Sequence, residues 1–252
     1  MYLEAVTISV DYADFLREVI PYNLPLLDRW LIVTHPRDTA TRELCRQYRL
    51  ECLQTADGKR GGDFCKGAMI ERGLQHLSAN GWRLHVDADI ALPAHFRTSL
   101  EEAHLQTDTI YGVDRIMVRS EAAWRQLQRS RYLDARQYIC NHLCFPQGFD
   151  IGTRWIGMQI GYTPIGYFQL WHSNQDEWRG HRVKPHPIRH GSACRTDVQH
   201  ALQWDRCKRA LLPEVVVVHL ESEASERGAN WNGRTTKPFG SPAKLSRPDT
   251  TS

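Results

Sequence analysis

Asp87-Ala88-Asp89 sets two carboxylates one residue apart, directly after the apolar run Trp82-Arg-Leu-His-Val86 and before Ile90-Ala-Leu-Pro93. With 16 aspartates in 252 residues, chance alone predicts about one Asp-x-Asp, so the motif takes its meaning from its position. A strand over 82–86 would deliver both carboxylates to its carboxyl end, the edge where parallel sheets gather ligands. Hard oxygen donors at such an edge suit Mg2+ or Mn2+ with coordination positions left for phosphate oxygens; a capping pair in a loop is the plainer alternative. His219 ends a second apolar run, Val215 to Val218, where a neutral imidazole can join two carboxylates on Mn2+ or bond to backbone. Cys140-Asn-His142-Leu-Cys144, with His186, His190 and Cys194 downstream, offers sulfur and imidazole for a structural zinc. Its spacing matches no standard finger, and buried thiols with surface histidines explain it as well.

The elements that must position these residues follow from apolar periodicity. Ala5 to Val10 is short and β-branched, and a polar loop over Asp11 to Asp14 leads to a helix-like Phe15 to Ile20. Trp30 to Thr34 reads as a buried strand, Thr39 to Arg49 as a helix opened by polar cap candidates, and Leu50 to Gln54 as a third strand. Phe64, Ala68, Met69, Leu74 and Leu77 recur at helical spacing before Ala79-Asn-Gly81, and Trp82 to Val86 is a fourth strand. Strand and helix alternate through the first ninety residues, which predicts an α/β fold with a mostly parallel, Rossmann-like sheet flanked by helices. Beyond residue 110 the pattern loosens into strands over Thr109 to Val113 and Arg115 to Val118, a helix over Glu121 to Gln128, a Gly/aromatic run over Ile156 to Leu170, and a late strand over Leu211 to Leu220. We expect one domain over 1–220, with 1–95 as one half and 96–220 as the other, and a polar tail over 221–252.

Composition narrows the class. A hydrophobic share of 41% rules out disorder throughout. A net charge of +3 with a pI near 8.5 falls short of a strongly basic nucleic-acid-binding domain. No apolar run approaches the ~20 residues of a membrane-spanning helix, so the expected location is the cytoplasm, that of a bacterial host if the chain is phage-encoded. The odd, scattered set of seven cysteines suits reduced thiols better than a disulfide framework.

The order of strand, Phe64-Cys-Lys-Gly67 helix and Trp82-Arg-Leu-His-Val-Asp-Ala-Asp-Ile-Ala-Leu-Pro93 resembles GT-A glycosyltransferases, particularly small family-2-like enzymes of bacteria and phages. The resemblance covers residues 5 to 95 and recurs more faintly from Gly161 to Leu220. It implies a nucleotide-sugar donor, UDP-sugar first, with Asp87 near the ribose and Asp89 and His219 on Mn2+ or Mg2+. Lys66 would face the donor diphosphate, with Arg72 a second candidate; a solvated helix charge is the plain reading of each, more so for Arg72. Loops carrying Ser9, Val10, Asp11, Thr34, His35, Ala56 and Asp57 would frame base and ribose, and Trp231 and Arg234 would fold over the donor as a lid. Asp197 is the expected general base, in a segment similar to the family-2 Glu-Asp helix with Thr196 in place of the glutamate, while Asp176 and His172 compete for that role. Tyr167 and Trp171 would stack on the acceptor, or belong to the core.

The expected activity is metal-dependent transfer of a sugar to a hydroxyl, with a hydroxymethylated base in phage DNA as one acceptor and surface polysaccharide or a lipid-linked glycan as another. A nucleotidyltransferase is the rival enzyme, disfavoured because the loop after the first strand is acidic and lacks glycine. A non-catalytic zinc-stabilised nucleic-acid-binding module is the rival outside enzymes.

Overall fold

The computed structural model of the chain describes residues 1–57, 59–60, 63–78, 80–134, 149–152, 154–176, 183–187 and 193–221. The β-branched opening forms β1 (Leu3–Ile8), two residues earlier than its pattern suggests, because Ser9 and Val10 already belong to the loop and Asp11 takes a left-handed φ of 60°. There follow α1 (Ala13–Asn23), β2 (Arg29–Thr34), α2 (Thr39–Tyr48), β3 (Glu51–Gln54), and a ribbon of β4 (Lys59–Arg60) and β5 (Asp63–Phe64). Next come α3 (Lys66–Leu74), β6 (Trp82–Val86), β7 (Ile90–Ala91), α4 (Phe96–Glu102), β8 (Ile110–Val118) and α5 (Glu121–Arg129). The chain continues through β9 (Asp150–Ile151), a ribbon of β10 (Ile156–Gly157) and β11 (Gly161–Tyr162), β12 (Phe168–His172), α6 (Ala193–Ala201) and β13 (Arg209–Leu220).

The main sheet runs β3-β2-β1-β6-β12-β8-β13-β7, with β9 beside β8. β1, β2, β3, β6, β8 and β13 share one direction, while β12 and β7 oppose them. This is the expected α/β class with a mostly parallel sheet. β12 inserts between β6 and β8, so strands from both halves of the chain build one sheet. The two strands expected around Asp114 are one, since Asp114 stays buried in the ladder with Arg154 across its carboxyl.

Period-two alternation sends each strand's faces to different layers. Leu3 and Ala5 of β1, Trp30 and Ile32 of β2, and Trp82, Leu84 and Val86 of β6 meet α1, α2, α4 and α5 in one core, which includes Phe15, Phe96 and Trp124. Val6, Leu31 and Val33 face the opposite way, onto Met69 and Ile70 of α3, with Trp171 and Trp204. On that second face β6 presents Arg83 and His85, 1% and 0% exposed. Two polar side chains enclosed on one strand need partners, and their partners organise the rest of the molecule.

Candidate functional site

Because the first four core strands are parallel, the loops after β1, β2, β3 and β6 open on one edge. β12 runs the other way and brings its amino end there, where the Asp87 N–H donates to Tyr167 O at 3.1 Å. The Asp-Ala-Asp motif therefore sits at the carboxyl edge of the sheet, between the loop after β1 and the start of β12.

Lys66, the first residue of α3, is the electrostatic centre. Its ammonium lies 2.7 Å from Asp87 Oδ1 and 3.2 Å from Asp197 Oδ2, and it donates to Gly166 O at 3.4 Å. Burial works against this cation, but Asp197 and Asp87 together outweigh it and hold Lys66 charged above its ordinary range. Asp87 shows the opposite balance. Burial pushes its carboxyl up to about 6, with Asp89 and Asp197 adding to the rise and Lys66 opposing it. One cation shared by two carboxylates, with a third at Asp89, explains why both partners of one ion pair shift upward. His85 fills the space behind, its Nε2 3.6 Å from Asp87 Oδ1 and its Nδ1 4.0 Å from Asp197 Oδ1. Burial first, then Lys66, keeps this imidazole neutral. Gly166 is required for the arrangement, since a Cβ there would overlap the Asp197 carboxyl.

Asp89 turns to the other side of the cleft. Its Oδ2 lies 3.4 Å from His219 Nε2, and its Oδ1 is buried without a hydrogen-bond partner. Arg115 donates to His219 Nδ1 at 3.1 Å and rests 4.1 Å above the Tyr167 ring, which stacks on the imidazole. Since arginine only donates, Nδ1 is the acceptor and the ring proton sits on Nε2, facing Asp89. Tyr12 closes the floor: burial first, then Asp89 and Asp87, drive its hydroxyl far up, so it stays protonated beside the motif.

The residues expected to frame a nucleotide converge on Asp38, the N-cap of α2. It accepts from Asp11 N–H at 2.9 Å, Thr34 Oγ1 at 3.2 Å, Thr41 N–H at 3.0 Å and Thr41 Oγ1 at 2.6 Å. Ser9 Oγ lies 3.2 Å from Thr41 Oγ1. These bonds fix the loops holding Val10, buried, and His35, half-buried, at the mouth. In the loop after β3, Ala56 is exposed and Asp57 pairs with Arg72 at 3.0 Å on the surface, which places Arg72 away from the Lys66 cluster.

Lys66, Asp87, Ala88, Asp89, Asp197, Tyr167 and His219 thus share one cleft edge. His172, Asp176 and Trp171 do not. His172 pairs with Trp82 at the start of β6, a strand length from Asp87. Asp176 accepts from Trp171 Nε1 at 3.0 Å and pairs with Arg83 Nε at 3.0 Å, both carboxylate and guanidinium enclosed. Trp171 is wholly buried among His186, His200 and Trp204. His186 Nδ1 lies 2.6 Å from Glu71 Oε1. Cys140, His142, Cys144, His190, Trp231 and Arg234, and the Cys194 side chain, lie outside the described residues.

Asp38, Tyr12, His85 and Arg115 belong to the candidate site and were not singled out from sequence. His85 carried a usable signal, because Arg83 and His85 alternate with Trp82, Leu84 and Val86 and so mark one polar face of a buried strand. Asp38 preceded the predicted α2 at cap distance. Arg115 acts through its register against β13, which sequence spacing does not reveal.

No protein-family model and no curated protein matches the chain. Solved structures similar to it include glucosyl-3-phosphoglycerate synthase from Mycobacterium tuberculosis with phosphoglyceric acid, at 11% identity and a TM-score of 0.48, covering 90% of this chain and 75% of that one. The same enzyme with Mn2+, UDP and glucosyl-3-phosphoglycerate aligns at 12% identity and a TM-score of 0.36, over 45% of this chain and 44% of that one. Inositol-1-phosphate CTP transferase from T. maritima aligns at 9% identity and a TM-score of 0.44, covering 89% and 91%. Each of these likenesses falls below 25% identity and below a TM-score of 0.5, so the function is argued from the residues at the sheet edge.

Proposed function

We propose that the protein is a metal-dependent glycosyltransferase that moves a sugar from a nucleotide-sugar donor to a hydroxyl. The observation that carries this reading is the buried, unpartnered Asp89 Oδ1 beside His219, on the cleft edge where Lys66 gathers Asp87 and Asp197. Among the described residues no group of three or more His, Cys, Asp or Glu could hold a metal, so the protein would supply two donors, Asp89 and His219. Two protein ligands with the remaining positions taken by phosphate oxygens and water is a usual arrangement for Mg2+, and an oxygen and an imidazole suit Mn2+. To present a bare Nε2, His219 must move its proton to Nδ1, release Arg115 and use Glu221, whose Oε1 lies 4.0 Å from Nδ1. A bound divalent ion would neutralise the diphosphate as it departs.

Lys66 adds a second positive charge facing that diphosphate. In this reading Asp197 is the general base, and its Oδ1 is free while Lys66 holds Oδ2. The carboxyl is almost fully covered, so an acceptor hydroxyl reaches it only after Lys66 swings away. A donor diphosphate drawing Lys66 toward itself would uncover Asp197 at the moment the acceptor needs a base. The donor loops over Ser9 to Asp11, Thr34 to His35 and Ala56 to Asp57 would frame base and ribose, Asp87 would reach the ribose, and Tyr167 would border the acceptor.

The test is Mn2+-dependent release of nucleoside diphosphate from a panel of nucleotide sugars, with hydroxymethylcytosine-containing DNA, a polysaccharide and a lipid-linked glycan as acceptor arms. Asp89→Ala should lower release by about 100-fold or more. Release of pyrophosphate from a nucleoside triphosphate, in place of nucleoside diphosphate from a sugar donor, would instead establish a nucleotidyltransferase.

A further inference from the structure

The β10–β11 ribbon exposes apolar side chains that the cleft does not use. Trp155 is 43%, Ile156 62% and Met158 96% exposed, and Ile151, just before the ribbon, is 42% exposed. Neighbouring residues of an extended strand point to opposite faces, so exposure of both Trp155 and Ile156 means that the ribbon stands clear of the body. It is nevertheless firmly rooted. Arg154 grips both carboxylate oxygens of buried Asp114, Gly152 N–H donates to Arg115 O at 2.8 Å, and Thr163 N–H closes the ribbon on Trp155 O at 3.0 Å.

Arginines meet the foot of the same ribbon. Arg206 is exposed and lies along Gly161, where φ is 72° and a Cβ would come within 2.7 Å of its Nε. Arg209 donates to Thr163 Oγ1 at 3.0 Å; burial first, then Arg206, weakens its hold on the proton, and Asp205 opposes them. An apolar tip carrying a tryptophan above a basic foot matches the layering of an anionic bilayer, with acyl chains and interface below and phosphate headgroups at the collar.

We propose that the 154–163 ribbon seats the protein on an anionic lipid surface, with Trp155, Ile156 and Met158 entering the interface and Arg206 and Arg209 meeting headgroup phosphates. A protein partner fits less well. With each such side chain presenting of order 200 Å² when free, the exposed fractions amount to about 500 Å², below the ~800 Å² per partner of a stable protein interface. No helix among the described residues is long and apolar enough to cross a membrane. The proposal stands independently of the activity assigned to the cleft.

Co-sedimentation of the full chain with vesicles of phosphatidylcholine, alone or mixed with phosphatidylglycerol, tests it. Binding should appear with the mixed vesicles, weaken with added salt, and fall at least ~tenfold in the triple variant Trp155→Ser, Ile156→Ser, Met158→Ser. Arg206→Glu should weaken binding without abolishing it. The triple variant's thermal midpoint should match wild type, since the replaced side chains are exposed, and donor hydrolysis without vesicles should persist, which separates this proposal from the catalytic one. Wild type remaining in the supernatant with every vesicle, or equal sedimentation of the triple variant, overturns it. So does a concentration-dependent self-association that the triple substitution removes while vesicle binding stays unchanged, since the ribbon would then join two copies of the chain.

Discussion

Strand β6 carries a buried charge cluster at each end, and the two are built to different standards. At its amino end, Arg83 spends its donors on Leu74 O at 2.8 Å and Ser78 O at 3.0 Å and faces Asp176 at 3.0 Å, while Asp176 also accepts from Trp171. One cation meets one carboxylate, and backbone carbonyls take the remainder. At the carboxyl end a single ammonium serves both Asp87 and Asp197, and Asp89 adds a third carboxyl that raises Asp87 further. One cation among three carboxyls leaves that end with excess negative charge, which favours a further cation there. The amino-end cluster is balanced within the second core, whereas in the proposed function the carboxyl-end cluster takes up charge from outside.

The sharpest break of that comparison is Arg83→Leu. It leaves Asp176 as an uncompensated buried charge, and removing one member of such a pair costs about 3–5 kcal/mol. For a chain of this length that lowers the thermal midpoint by roughly 10 °C, while donor hydrolysis by the fraction still folded stays near wild type. A loss of activity per folded molecule, with the midpoint unmoved, would reverse the roles assigned to the two ends.

Lys66→Met should give the converse. Asp87 and Asp197, left without their cation, can share a proton as close carboxyl pairs do, so the stability loss is expected to be smaller than for Arg83→Leu. Donor hydrolysis should drop by about 100-fold or more. Adding Asp197→Asn should restore stability without restoring activity, because it removes the excess negative charge but supplies no cation for the diphosphate. Recovery of activity in the double variant would show that Lys66 serves only to neutralise its neighbours.

Gly166→Ala probes the same cluster more gently. The added methyl must push the Asp197 carboxyl away, an overpacking cost of about 1–3 kcal/mol. Hydrolysis of donor alone should fall less than transfer to an acceptor, since Lys66 keeps Asp87 while Asp197 loses its place. Equal losses in both assays would argue that Asp197 acts on the donor.

The difference between the two ends was only partly legible in the sequence. Alternation of strand and helix gave the sheet, and the position of Asp87-Ala88-Asp89 after a fourth strand pointed to the correct edge. Lys66 is expected from sequence to face a donor diphosphate, and the contact that α3 gives it, with Asp87 at 2.7 Å, was not foreseen. His172 and Asp176 compete with Asp197 for the general-base role on sequence alone, yet β12 is antiparallel, and that reversal carries its carboxyl end to the far edge. Strand direction is decided by pairing across the sheet, which local patterning does not encode. Trp171 illustrates the same limit: its indole looks equally suited to a sugar or a core until its Nε1 is found on Asp176.

The smallest effect, and the one that most directly separates the ends, is a pH dependence with opposite signs for stability and activity. Asp87 carries a folded-state pKa of about 6, above its ordinary value of 3.8, with burial as the first cause. The folded protein therefore binds that proton more tightly than the unfolded chain does, and its stability falls as pH rises from about 4 through about 6. Activity should rise across the same window, because donor binding in the proposed site needs Asp87 ionised beside Lys66. Mn2+ with a nucleotide sugar should shift the activity midpoint downward, since added positive charge favours the carboxylate. Thermal melts and initial rates measured from pH 4.5 to 7.5 on wild type and Asp87→Asn check this, and the substitution should flatten the acid-side slope of stability while leaving Arg83 and Asp176 undisturbed. If that slope persists in Asp87→Asn, the proton belongs elsewhere, and Glu71, raised by its own burial beside His186, is the next group to replace.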